Sequence, residues 1–173
     1  QVIMDKTGTL TSGKFAVEEV LSAVDKDQLI LDAAYAEHFS NHPIAQGIKE
    51  ACHSEIHDEE VTDAQEIAGR GLSVKVNGEE ILAGNYKLMS EKGVQCKEET
   101  STGTLVYVAK NGVYEGCLVL RDQLKEDAKE AVDTLHKEGK KCIIVSGDNQ
   151  EITSSIGLQL GVDQAIGGCM PED

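Results

Sequence analysis

The chain has 173 residues, 40% of them hydrophobic and 27% charged, enough apolar material for a packed core and a composition typical of globular proteins. Lys and Arg number 16 against 31 Asp and Glu, and the net charge of −15 excludes a surface built to track nucleic-acid phosphates or an anionic membrane. A locally positive pocket for a small phosphorylated ligand stays compatible with that balance. Aromatic residues are only 3%, with no Trp, so the core must be aliphatic. The five cysteines, at 52, 96, 117, 142 and 169, are odd in number and contain no C-x-x-C pair. They suggest neither a disulfide framework nor a zinc site, and read as small buried hydrophobes in a reducing compartment. No stretch approaches the ~18–20 apolar residues of a membrane span, and no signal peptide is visible. The sequence opens inside a strand and closes at "MPED", as an excised piece of something longer would.

In chain order, "QVIMDKT" predicts a short buried strand opening into a loop. From Asp25 to His53 the pattern is helical: Leu29, Ala33, Ala36 and Phe39 keep a 3–4 spacing until "NHP" interrupts. Pro43 suits the first turn of a second helix, with Asn41 or His42 near its cap. The middle is β. "LSVKVNGEEILAGN" alternates Leu72, Val74 and Val76 against Ser73 and Lys75, then turns at Asn77-Gly78. A second hairpin turns at Asn111-Gly112, and between the two "YKLMSEKG" predicts a short helix closed by Gly93. "LKEDAKEAVDTLHKEG" places Leu124, Ala128, Ala131, Val132 and Leu135 on one helix face, ending at Gly139. "KCIIVSGDN" then has the continuous apolar run of a parallel-sheet strand, followed by a helix over 149–160. Segments 54–66 and 93–103 carry no readable function. The pattern predicts an α/β fold, a parallel sheet interrupted by an α+β domain with an antiparallel sheet.

Ligands of open α/β sheets collect at the carboxyl ends of strands. Asp5 and Asp148 both occupy that position, and if their strands share a sheet their carboxylates face one crevice. Asp5 alone is open to three readings: a turn residue, a metal ligand or a nucleophile. Ser146 and Gly147 add a hydroxyl and a close backbone approach just before a helix N-terminus, which favours anions. With Lys6 as cation and Thr7, Thr9 and Thr11 as hydroxyls, the parts are those of a phosphate site.

The contiguous "DKTGTLT" resembles the phosphorylation motif of the P-type ATPases, and "SGDN" resembles their "TGDN", with Ser146 keeping the hydroxyl of the usual Thr. The resemblance implies a haloacid-dehalogenase-type, partial Rossmann-like phosphorylation domain. In it Asp5 takes the γ-phosphoryl of ATP as an aspartyl phosphate, flanked by Lys6 and Thr7. Asp5 and the Thr7 carbonyl would bind Mg²⁺, and Ser146, Gly147 and Asp148 would hold the phosphoryl group. Soluble phosphatases of that superfamily carry a second Asp two residues after the nucleophile. Here the position is Thr7, which cannot serve as an acid or base near neutral pH. A durable intermediate, as a pump needs, follows; a soluble phosphatase is the alternative, and a non-catalytic nucleotide-binding module a third.

"SNHPIAQGI" resembles the "SEHPLA" motif of heavy-metal-transporting P-type ATPases, with Asn41 replacing the usual Glu. That subgroup contacts adenosine at positions corresponding to Glu37, His42, Gly69, Gly71, Leu72, Gly84 and Asn85. Asp122 and Lys125 resemble the family's "DxxK/R" hinge pair; a salt-bridged helix start would also explain them. The resemblance implies a phosphorylation domain at 1–12 and 120–173 and a nucleotide-binding domain at 13–119. It also implies ATP and Mg²⁺, a transported heavy-metal ion, and actuator and membrane domains outside this sequence, with this region on the cytoplasmic side of a membrane. Closure of one domain onto the other would couple nucleotide binding to attack by Asp5. Phe15 favours the zinc/cadmium type over the copper type. Since "PED" ends before the family's following Lys, ATP binding with little self-phosphorylation is expected. His38, His53 and His57 are expected on solvated helix faces.

Overall fold

A computed structural model describes residues 1–21, 25–101 and 103–170; "PED" at 171–173 lies outside them. The chain forms two compact units, one of residues 1–13 and 122–173, the other of residues 14–121.

In the first unit, β1 (Val2–Asp5) pairs in parallel with β8 (Cys142–Val145), which pairs in parallel with β9 (Gln164–Ile166). Helices α4 (Ala128–Lys137) and α5 (Gln150–Leu160) cover one face. Their Ala128, Val132 and Leu160 close over Cys142 and Ile144 of β8 and over Leu10. The central strand β8 is the buried one. β1 is not buried as its composition predicts: it lies at the sheet edge, alternates between half-buried and exposed, and leaves Ile3 65% exposed. α4 begins at Ala128, later than its periodicity predicts, because Leu124 is still in strand β7 (Val113–Leu124), and Ala131 is exposed. Gly161, at φ +75, closes α5 in the left-handed conformation.

The second unit carries a sheet in the order β2-β7-β6-β5-β4-β3, with β2 at Thr11–Leu21, β3 at Val61–Ile67, β4 at Gly71–Val76, β5 at Glu79–Gly84 and β6 at Thr104–Lys110. Both predicted hairpins form where Asn-Gly sits, because a type I′ turn needs two positive φ values: Asn77 and Gly78 have +52 and +82, Asn111 and Gly112 +50 and +79. Val74 and Val76 point into the core and Lys75 out. On one face lie α1 (Lys26–Ala36) and α2 (Pro43–Ala51), burying Leu29, Ala33 and Ile48 against Val74, Ile81, Val108, Leu118 and Leu120. Gly47 is required there, since a Cβ would stand 2.3 Å from the Phe15 carbonyl oxygen of β2. On the other face α3 (Tyr86–Glu91) covers Leu82, Tyr107 and Cys117 with Leu88 and Met89.

α1 stops at Ala36, so Phe39 does not continue its face and is 59% exposed. His38, His53 and His57 also fall beyond helix ends; His38 pairs with Asp58. The long strand β2 and the strands β3 and β9 are not predicted by the residue pattern. Of the cysteines, all without disulfides, Cys117 and Cys142 are fully buried and the other three half-buried. Among the described residues no helix is long and apolar enough to cross a membrane.

Candidate functional site

The parallel register sets Asp5 opposite Val145, so "DKT" and "SGD" leave their strands at the same end. After Asp5 the backbone makes a helical turn (Lys6–Leu10) interrupted at Thr7 and Gly8. Gly8 lies at φ +83, and its N–H donates to the Thr11 hydroxyl at 3.1 Å. This turn directs Lys6 inward, where it is only 8% exposed and its ammonium pairs with the Asp148 carboxylate. The cation is therefore held by Asp148 rather than left open, and that pair ties one strand-end loop to the other. Asp5, Thr7 and Thr9 remain exposed.

Ser146 is buried; its hydroxyl accepts from the Asp148 N–H at 3.1 Å. The segment after β9 closes over this loop. Gly168 N–H donates to the Asp148 carbonyl at 2.6 Å, and Cys169 N–H to the Ser146 carbonyl at 3.0 Å. Gly147 is exposed, and a Cβ there would meet only ordinary contact, 3.5 Å from the Cys169 carbonyl oxygen. No close packing demands this glycine. Asn149, not Asp148, caps α5 by accepting from the Ile152 N–H at 2.9 Å.

Asp122 and Lys125 do not start a helix. Asp122 is in β7 and accepts from the Gly13 N–H at 3.0 Å; the Lys125 N–H donates to the Leu10 carbonyl at 2.8 Å.

The second unit contains a cavity of about 520 Å³, lined on its apolar walls by Ala36, Ile44, Ile67, Leu72 and Val74 and reached by Glu37, His42, Gly69 and Gly71. That volume suits a small organic ligand. Glu37 sits at the C-terminus of α1 and is 8% exposed. Burial pushes its carboxyl from the ordinary 4.5 up to about 7, Lys49 opposing the rise and Glu66 adding to it. Lys49 pins the turn between α1 and α2 through the carbonyls of His38 at 3.1 Å and Ser40 at 2.9 Å. His42 caps α2, its Nδ1 accepting from the Ile44 N–H at 3.1 Å. The neutral ring accordingly carries its proton on Nε2, leaving a donor at the cavity rim.

Gly71 and Gly84 are cross-strand partners where two backbones leave no room for a Cβ. A Cβ on Gly71 would stand 2.2 Å from the Ala83 carbonyl oxygen, and one on Gly84 2.2 Å from that of Arg70. Gly84 and Asn85 do not line the cavity. They support it from behind: the Asn85 amide donates to the Gly69 carbonyl at 2.9 Å while its oxygen caps α3 through the Leu88 N–H at 3.0 Å. Arg70 joins this support, donating to the Gly69 carbonyl at 3.1 Å and to Glu91 at 3.0 Å.

The cavity's remaining wall, Ala64 to Ile67 of β3, comes from a segment whose sequence showed no function. No alternation marks it, because Thr62 to Glu66 are all exposed, the register to β4 shifts between Thr62 and Gln65, and Asp63 has φ +48.

A haloacid dehalogenase-like hydrolase family model matches residues 1–173, and the chain belongs to that family of hydrolases. Within it, the chain is similar to metal-transporting P-type ATPases. It is 40% identical over 99% of its length to the cadmium, zinc and cobalt-transporting ATPase of Bacillus subtilis, and 37% identical over 99% to the zinc-transporting ATPase of Synechocystis. A probable copper-exporting P-type ATPase of Archaeoglobus fulgidus is 38% identical over 98% of the chain. The chain spans 25% and 24% of the first two relatives. Among solved structures, a zinc-transporting PIB-type ATPase superposes with a TM-score of 0.76 at 30% identity, over 100% of this chain and 30% of that one. A second structure of a zinc-transporting PIB-type ATPase, in another state, gives 0.77 at 31%, over 99% of this chain and 29% of that one. All three of these relatives are named as metal-transporting or metal-exporting ATPases.

Proposed function

We propose that this chain is the ATP-binding and phosphorylation region of a heavy-metal cation pump, of the zinc/cadmium type, acting on the cytoplasmic side of a membrane. Its 1–13 and 122–173 unit would be the phosphorylation domain and its 14–121 unit the nucleotide-binding domain. One observation carries the reading: Asp5 is exposed at a strand end whose parallel neighbour delivers Ser146, Gly147 and Asp148 at the same end, with Thr7 two residues on.

The Asp5 carboxylate attacks the γ-phosphorus of ATP, the bond to the β–γ bridging oxygen breaks, and ADP leaves. Lys6, held beside Asp148, supplies positive charge to the transferred group, and the Ser146 hydroxyl and the Gly147 N–H would hold it. Thr7 offers no carboxylate to activate water, so the aspartyl phosphate persists. The donor set fits Mg²⁺, since the Asp5 carboxylate is an exposed, hard oxygen ligand and the Thr7 carbonyl a second. Mg²⁺, when bound, would neutralise phosphate charge. In the other unit, Glu37 accepts from an exocyclic amine of adenine, the Nε2–H of His42 donates to the base or stacks on it, and Gly69 and Gly71 admit it to the backbone.

Titration with ATP while following the amide resonances of His42, Gly69 and Gly71 tests the nucleotide assignment. Saturable shifts at all three are expected, and a flat response overturns it.

A further inference from the structure

At the amino ends of β8 and β9, the opposite end of the sheet from Asp5, three potential ligands of different chemistry converge. His136 is in the last turn of α4, Cys142 is the first residue of β8, and Asp163 directly precedes β9. Asp163 Oδ2 accepts from the Cys142 N–H at 2.7 Å and lies 2.8 Å from His136 Nε2. The imidazole nitrogen, the Cys142 sulfur and an Asp163 oxygen all lie within 4.8 Å of one another. Cys142 is 0% exposed, whereas the side chains of His136 and Asp163 are 34% and 42% exposed. The thiol is thus buried, while the other two ligands reach solvent.

We propose that His136, Cys142 and Asp163 form a binding site for a borderline-soft divalent cation of the Zn²⁺ class, with water as fourth ligand. Bond lengths of about 2.0–2.3 Å to N, O and S place tetrahedral ligands roughly 3.3–3.8 Å apart, so the three donors need only small side-chain shifts to close on an ion. The backbone bond from Cys142 already fixes the Asp163 carboxylate as a supporting contact would. On binding, the Cys142 thiol releases its proton to solvent, the neutral imidazole coordinates through Nε2 with its proton on Nδ1, and the carboxylate is already ionised. One thiolate and one carboxylate match a 2+ charge. A bound ion ties the end of α4 to the starts of two strands.

Co²⁺ titrated into the chain in excess Mg²⁺, which keeps hard-oxygen sites filled, tests the site. One equivalent is expected to give tetrahedral d–d bands and a thiolate-to-cobalt charge-transfer band, which Zn²⁺ then bleaches. Cys142→Ser should lose the charge-transfer band, and Asp163→Asn and His136→Gln should each weaken binding about tenfold or more. Absence of that band in the folded wild-type chain, or its persistence in C142S, overturns the proposal. Should C142S fail to fold, His136→Gln at the solvent-exposed rim decides: unchanged Co²⁺ affinity there refutes the site.

Discussion

The loop at Asp5 and the cavity at Glu37 handle carboxylates in opposite ways. In the first unit Asp5 stands in water and Asp148 is neutralised by the buried Lys6 ammonium, so charge is kept available at a strand end. In the second unit two carboxylates, Asp32 and Glu37, are hidden. Glu37 is 8% and Asp32 3% exposed, and one oxygen of Asp32 and one of Glu115 are buried without a hydrogen-bond partner among the described residues. Burial and then the neighbouring Asp32 push the Glu115 carboxyl upward.

The largest expected effect tests the reactive side. In the pump proposed above, Asp5→Asn should reduce metal-stimulated ATP hydrolysis by more than about 10³-fold, while leaving ATP-dependent shifts at His42, Gly69 and Gly71 in place. Hydrolysis persisting at an appreciable rate would remove Asp5 as nucleophile.

Gly71→Ala should be the most damaging change in the cavity wall. Its Cβ meets backbone at 2.2 Å and its φ of +148 suits glycine, so a loss of about 1–3 kcal/mol or more is expected in urea unfolding.

The hidden acids predict a pH dependence. Glu37 titrates near 7 when folded and near 4.5 when unfolded, so the native state binds the proton more tightly. Stability from this group is full below about 4.5 and is lost as pH rises through about 7. Glu37→Gln should therefore stabilise the chain by about 1–3 kcal/mol above neutrality and leave it nearly unchanged in acid. An equal effect at both ends of the range would refute the raised carboxyl. Glu115→Gln should act in the same direction, because the amide can donate to Asp32 at every pH.

Asn85→Ala should have the smallest effect. It loses an α3 cap and one bond to Gly69, worth about 1 kcal/mol together, and should weaken ATP binding only through the Gly69 loop. A loss of binding as large as that of His42→Ala would make Asn85 a direct contact.

Much of this was legible in residue order. The hairpins were visible because Asn-Gly meets the turn requirement locally, and α5 because its apolar spacing and caps lie within one helix. Asp5 was visible because a carboxylate at a strand end, followed by Lys-Thr-Gly-Thr, sits in one contiguous run. The buried character assigned to β1 failed because composition cannot tell an edge strand from a central one. The start of α4 was misplaced because Leu124 suits the helical pattern as well as it suits the end of β7.

By itself, then, the sequence determined the two kinds of sheet, the hairpin turns and the contiguous run that sets Asp5 at a strand end, and it marked Glu37, His42, Gly69, Gly71 and Leu72 as candidates for one site. Tertiary structure alone decided that Lys6 pairs with Asp148, that β3 closes the cavity, that Gly84 and Asn85 support rather than line it, and that His136, Cys142 and Asp163 converge. The reason is one of distance along the chain. A turn or cap is satisfied by neighbours, whereas these contacts join residues whose meeting depends on strand order and helix packing.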